Sequence, residues 1–241
     1  MCFSAEASFT GSAVISAIGV ATLAKIRKPA QIPFGTIPLL FGIQQCAEGV
    51  LWVTLEAGGH EKLESTATYI FLITALVIWP TMIPLSIRLM EKVKRRKRFL
   101  TYLTGLGVTL SLFYACCLFI YDVSAQIQNF HIRYVDEFPK TLVKIAFACY
   151  LVTTIAPIFV SSVRRMWLFG ILIAVSCLIT GIFFSEYLTS VWCFFAAIIS
   201  IVIYWILRGT RSRTEELAAA AGTGQMTQGD VNRPSIISEG S

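Results

Sequence analysis

The apolar stretch IPFGTIPLLFGIQQCAEGVLWVTLEA contains Gln44, Gln45 and Glu48, with Trp52 one helical turn further on. A spacing of four puts Gln44, Glu48 and Trp52 on one stripe of a helix, and Gln45 flanks that stripe. A carboxyl at the centre of a membrane helix costs about 2.5–3.5 kcal/mol on insertion scales, so it belongs at a bundle interior or beside water. Carboxyl, amide and indole groups together suit a cationic or hydrogen-bonding solute better than an anion. The same groups also serve as plain interhelical hydrogen-bond partners.

Two further groups bear on this chemistry. Lys144, near the outer end of a later apolar stretch, is the expected cation partner for Glu48 or Glu186, the alternative being an ammonium that snorkels to the interface. Cys2 follows the initiator Met1. With Met1 removed it becomes an N-terminal thiol beside a free amine, a nucleophile with its own base. A thiolate also suits a soft metal ion, with His131 and with Glu6 or Glu48 as further ligands. An ordinary helix start is the competing reading of Cys2.

The opening MCFSAEASF and the later QQCAEGVLW resemble an uncharacterised family of multi-pass membrane proteins, best known from bacteria. Its members begin with MCFSAxASF and carry a QQxxEGxxW-like motif in their second helix. The resemblance implies that Cys2, Ser4, Gln45, Glu48, Gly49 and Trp52 are the positions to test first. It implies no particular reaction, and it does not extend to the tail after Arg208.

The elements that position these groups follow from composition. Of the 241 residues, 56% are hydrophobic and only 14% are charged, with a mean hydropathy of +0.71; soluble domains carry about 25% charged residues. The apolar residues come in blocks of about 20, the length of a helix that crosses a ~30 Å hydrocarbon layer. Backbone groups have no water to bond in lipid, so such blocks are helices. The fold class expected is all-α: a polytopic transmembrane helix bundle of seven spans. They run over approximately 6–23, 34–55, 67–89, 99–121, 141–160, 166–184 and 190–207. Residues 1–208 make this membrane domain, and 209–241 form a polar, Gly-rich tail expected to be disordered in the cytoplasm.

Orientation comes from the cations. With the N-terminus outside, the inner segments hold 16 of the 20 Lys and Arg residues, as the positive-inside rule describes. The net charge of +6 is thereby a topological signal and points to no nucleic acid. The run of Lys92, Lys94, Arg95, Arg96, Lys97 and Arg98 is also suited to anionic lipid head groups, at about 1 kcal/mol per cation near the surface.

In that orientation Glu48 lies in the outer half of its helix. Ser4, Glu6, Tyr69, Tyr114, Cys117 and Cys149 lie at similar or shallower depth, with the 122–140 connector able to fold over them. The expected function is a small-solute or ion binding protein, a sensor or transporter, with a polar pocket around Gln45, Glu48, Trp52 and Lys144. The alternative is a membrane-embedded enzyme or soft-metal site that uses Cys2 with Glu48 and His131. Several other chemistries are disfavoured. The last apolar stretch has no lysine for a retinal Schiff base, two histidines are too few for the three-histidine zinc hydrolases, and Walker, GxSxG and Rossmann patterns are absent.

Serines 4, 8, 12 and 16 recur along one face of the first stretch and suit close helix contact. Pro80 and Pro84 predict a kink in the third. The seven cysteines include no CxxC pair.

Overall fold

Helix boundaries fall where the local chemistry puts them. In a computed structural model of the chain, which describes residues 4–128, 131–163, 166–183 and 196–208, Ser4 caps α1 (Ala5–Leu23), its hydroxyl accepting from the Ala7 N–H at 3.2 Å. A short 3₁₀ turn opened by Pro29 leads into α2 (Ile32–Ala57), which ends at Gly58 and Gly59. Both glycines have positive φ, 68° and 74°, a region other residues enter at a cost. Next come α3 (Glu61–Leu72), a π-helical segment over Ile73–Ile78 and α4 (Trp79–Met90), continuous as Glu61–Met90. They are followed by α5 (Lys94–Ile120), α6 (Lys140–Val160), α7 (Met166–Phe183) and an apolar helix α8 (Ala196–Arg208).

The chain is mostly helical, as its composition requires. Four of the described helices are long and apolar enough to cross a membrane: Ala5–Leu23, Glu61–Met90, Lys94–Ile120 and Lys140–Val160. Large apolar side chains stand exposed on them, including Leu112, Phe119, Ile120 and Ile145. This is compatible with a membrane protein, in which lipid covers such a surface. The second helix, which carries the amides and Glu48, is not among the four. The expected tail at 209–241, together with Cys2, Glu186 and the start of the 190–207 stretch, lies outside the described residues.

The connector at 122–140 adds something to the helical expectation. Val123–Gln128 (β1) and His131–Asp136 (β2) pair antiparallel, with Ala125 opposite Tyr134 and Ile127 opposite Ile132. Ala125 and Ile132 pack with Leu51 and Trp52 of α2 and Ala67 of α3, and Tyr134 stacks on Phe71 at 4.7 Å between ring centroids. The hairpin thereby caps the ends of α2 and α3.

Two features hold the helices close. On α1, Gly19 lies against Leu39 of α2, and the Ser12 hydroxyl donates to the Gly42 carbonyl at 2.8 Å. The serine face expected from the sequence is therefore the α2 contact, with Ser8 fully buried. Near the prolines where a kink is expected, the helix takes a π-helical form over Ile73–Ile78, in the turn before Pro80, whose missing N–H disturbs it. Carbonyls of this segment find side-chain donors: Tyr150 of α6 donates to Ala75 O at 2.9 Å, and Ser111 of α5 donates to Val77 O. The main core runs through these helices from Phe34 and Phe71 to Ile158 and Phe169.

Candidate functional site

The polar residues of α2 divide into two groups. The Gln44 carbonyl oxygen accepts from the indole N–H of Trp79 on α4 at 3.0 Å, and Trp79 packs against Phe41 with centroids 4.4 Å apart. That pair joins α2 to α4. Gln45 faces elsewhere, and its amide nitrogen donates to Glu48 Oε2 at 3.1 Å. Gln45 and Glu48 are both fully buried, and Trp52 is 3% exposed.

Satisfaction of these groups is uneven. Gln45 Oε1 and Trp52 Nε1 are buried atoms without a hydrogen-bond partner among the described residues. An unsatisfied buried polar atom costs about 1–3 kcal/mol, and most such atoms in folded proteins are paired. The other indole close by, Trp79, has its partner. The Gln45–Glu48–Trp52 face therefore presents an unfilled acceptor and an unfilled donor beside a buried carboxylate. Nearby, Ser4 and Glu6 line an open groove along α1 with Thr10 and Gly11, of about 470 Å³.

The other sequence-derived candidates are more scattered. Lys144 is exposed on α6, a helix that packs chiefly on α4 and α5, whereas Glu48 is fully buried on α2. Tyr114 and Cys117 belong to the larger core with Tyr150, whereas Trp52 belongs to the smaller cluster under the hairpin. His131 is buried at the start of β2, and that burial pushes its imidazole below the ordinary histidine value. Among the described residues no group of three His, Cys, Asp or Glu side chains is placed to hold a metal ion. The proposed partner Cys2 lies outside them.

One residue that the sequence reading passed over is Glu91, 3% exposed in the turn between α4 and α5. Its Oε1 accepts from the Lys92 and Val93 N–H groups, each at 2.9 Å, and from the Ser162 hydroxyl; its Oε2 accepts from the Ser162 N–H at 2.7 Å. Burial acts to raise its pKa, but these donors outweigh that and hold the carboxyl below the ordinary carboxylate value. Glu91 thus ties the α4–α5 turn to the segment that follows α6. The same turn begins the basic run, and Lys92 to Arg98 are all exposed.

A family model described as "Family of unknown function (DUF6629)" matches residues 1–220. No curated protein and no solved structure matches the chain.

Proposed function

The chain belongs to the DUF6629 family of unknown function, and from that premise we propose that it is an integral membrane protein that binds a small solute or ion, as a sensor or transporter, at the Gln45–Glu48–Trp52 face of α2. The observation that carries this reading is the pair of buried atoms, Gln45 Oε1 and Trp52 Nε1, without partners beside a buried carboxylate. In this reading the chain crosses the bilayer seven times, with its N-terminus outside, its C-terminus in the cytoplasm and the site in the outer half. The 16-to-4 distribution of Lys and Arg supports that orientation. A described helix also overlaps each of the seven apolar stretches.

Binding to the folded state raises thermal stability by mass action. A melting screen of the purified protein against metal ions, amines and small polar metabolites is expected to find a stabilising compound. Its effect should disappear in Glu48→Gln, a substitution that keeps shape and can still accept from Gln45. A screen in which every shift survives Glu48→Gln would contradict the site.

A lipid partner accompanies this reading: anionic head groups at Lys92, Lys94, Arg95, Arg96, Lys97 and Arg98. Glu91 is the carboxylate next to these cations, and its oxygens are already engaged by Lys92 N, Val93 N and Ser162. Among the described residues Glu91 is thus not available to these cations, and an external anion would relieve their repulsion. They stand at the end of the apolar helix α5, with Tyr102 70% exposed one turn further in, at the level where head groups and interfacial aromatics meet. Phosphatidylglycerol is expected to raise the melting temperature above that in phosphatidylcholine, and to lose this advantage at high salt or when the six cations are changed to Gln. An equal response to both lipids would remove the head-group site.

A further inference from the structure

We infer that the Gln45–Glu48–Trp52 face takes a small neutral solute carrying both a hydrogen-bond donor and an acceptor, of the hydroxyl or carboxamide class, in preference to a bare cation. The inference rests on the binding reading above and narrows its ligand.

Helix geometry locates the face. At 3.6 residues per turn, Trp52 lies about 20° and Glu48 about 60° around α2 from Gln45, with Gln44 at about 100° in the same sense. In the opposite sense Gly49 lies at about 40° and Gly42 at about 60°. The Gln44 edge is closed by Trp79 of α4. The glycine edge is closed by α1: a Cβ on Gly49 would come within 2.9 Å of the Phe9 ring, and one on Gly42 within 2.2 Å of Ser16 Oγ. Gln45 and Trp52 therefore lie on the arc between the α1 contact and the α4 contact.

The unfilled atoms then select the ligand by their chemistry. Gln45 has its amide nitrogen engaged with Glu48, and its open Oε1 calls for a donor. The indole nitrogen of Trp52 donates only, so it calls for an acceptor. A metal ion or an ammonium group would meet Gln45 Oε1 and the carboxylate, and would leave the Trp52 N–H without an acceptor. A carboxylate or phosphate would serve Trp52, leave Gln45 Oε1 unfilled and bring a negative charge toward Glu48. A hydroxyl or a primary carboxamide supplies donor and acceptor together without net charge. The Cα atoms of Gln45 and Trp52 are about 10 Å apart along the axis, which calls for a solute of several heavy atoms. A site built to pair buried donors and acceptors discriminates strongly against analogues that leave one unpaired.

The test uses the full chain in lipid nanodiscs, with melting temperature followed against concentration for acetamide, methylammonium, sodium and acetate. Trp52→Phe removes the indole N–H, and Gln45→Met removes the amide oxygen. The expected result is stabilisation of the wild type by acetamide at concentrations about tenfold below those needed for methylammonium, the ratio given by one unpaired buried group. Trp52→Phe should erase that preference, and Gln45→Met should weaken the response to both probes. If methylammonium or sodium stabilises the wild type and Trp52→Phe alike while acetamide does not, the site takes a cation; the ligand class falls and the binding reading stands. If no probe shifts the wild type and the broader screen also finds no Glu48-dependent ligand, both fall. Should either variant fail to fold, the wild-type order of acetamide against methylammonium decides alone.

Discussion

Among the described residues, buried carboxylates occur at two places, Glu48 and Glu91. Glu91 is satisfied by four donors, two of them from Ser162, 71 residues further along the chain. Replacing it with Ala removes the shared acceptor, and melting should report a loss on the order of 3 kcal/mol. Because its folded pKa lies below the ordinary value, its stabilisation is fully present above the unfolded pKa. It is lost as pH falls from that value toward the lower folded one. An acid titration of melting temperature should therefore flatten in Glu91→Gln between those two limits; an unchanged profile would mean that the Glu91 cluster is not formed.

Gln45, Glu48 and Trp52 are conspicuous in the sequence because polar groups stand out in an apolar helix. Glu91 is not, because a carboxylate beside a basic run reads as a solvated neighbour. Its partner Ser162 is too distant in sequence for any local pattern to reveal. Likewise, spacing grouped Gln44 with Glu48, whereas tertiary contact turned Gln44 to Trp79 and left Gln45 as the neighbour of Glu48.

Among the elements, the α4–α5 contact depends on an absent side chain. A Cβ on Gly107 would sit 2.1 Å from the Pro80 carbonyl oxygen and 2.8 Å from its carbon, whereas nothing lies within 4 Å of a Cβ on Gly105. The obstruction at Gly107 is backbone, beside a π-helical segment that Ser111 and Tyr150 already brace, so it has little room to yield. Gly107→Ala is expected to destabilise by about 1–3 kcal/mol, the usual range for overpacking. Gly105→Ala in the same helix should be neutral or stabilising by up to about 1 kcal/mol, through helix propensity. Equal effects at the two positions in a melting experiment would show that α5 does not approach Pro80 this closely. The helices themselves were legible from block length and hydropathy, and the disturbance near Pro80 from proline chemistry. The hairpin was not: β1 and β2 have six residues each, and the alternation through Ala125, Ile127, Ile132 and Tyr134 is easily read as an irregular connector.

For the molecule as a whole, the proposed function sets a polar site near the hairpin-covered end of α2 within a helix bundle whose long apolar helices are compatible with a membrane. The hairpin residues Ala125 and Ile132 pack with Trp52 and Leu51, so the cover and the site share a wall. Sequence alone indicated the apolar class and the polar residues of α2; which of those residues have their hydrogen bonds filled is set by packing between helices remote in sequence, and no spacing rule reaches it. The most direct test is an experimental map of the full chain in nanodiscs with acetamide present, detailed enough to show small ordered molecules. The account predicts a bilayer belt around the helices and, on the Gln45–Glu48–Trp52 face, non-protein density within hydrogen-bond distance of both Gln45 Oε1 and Trp52 Nε1. Finding both atoms bonded to protein groups instead, with no density between α1 and α4 on that face, would contradict it.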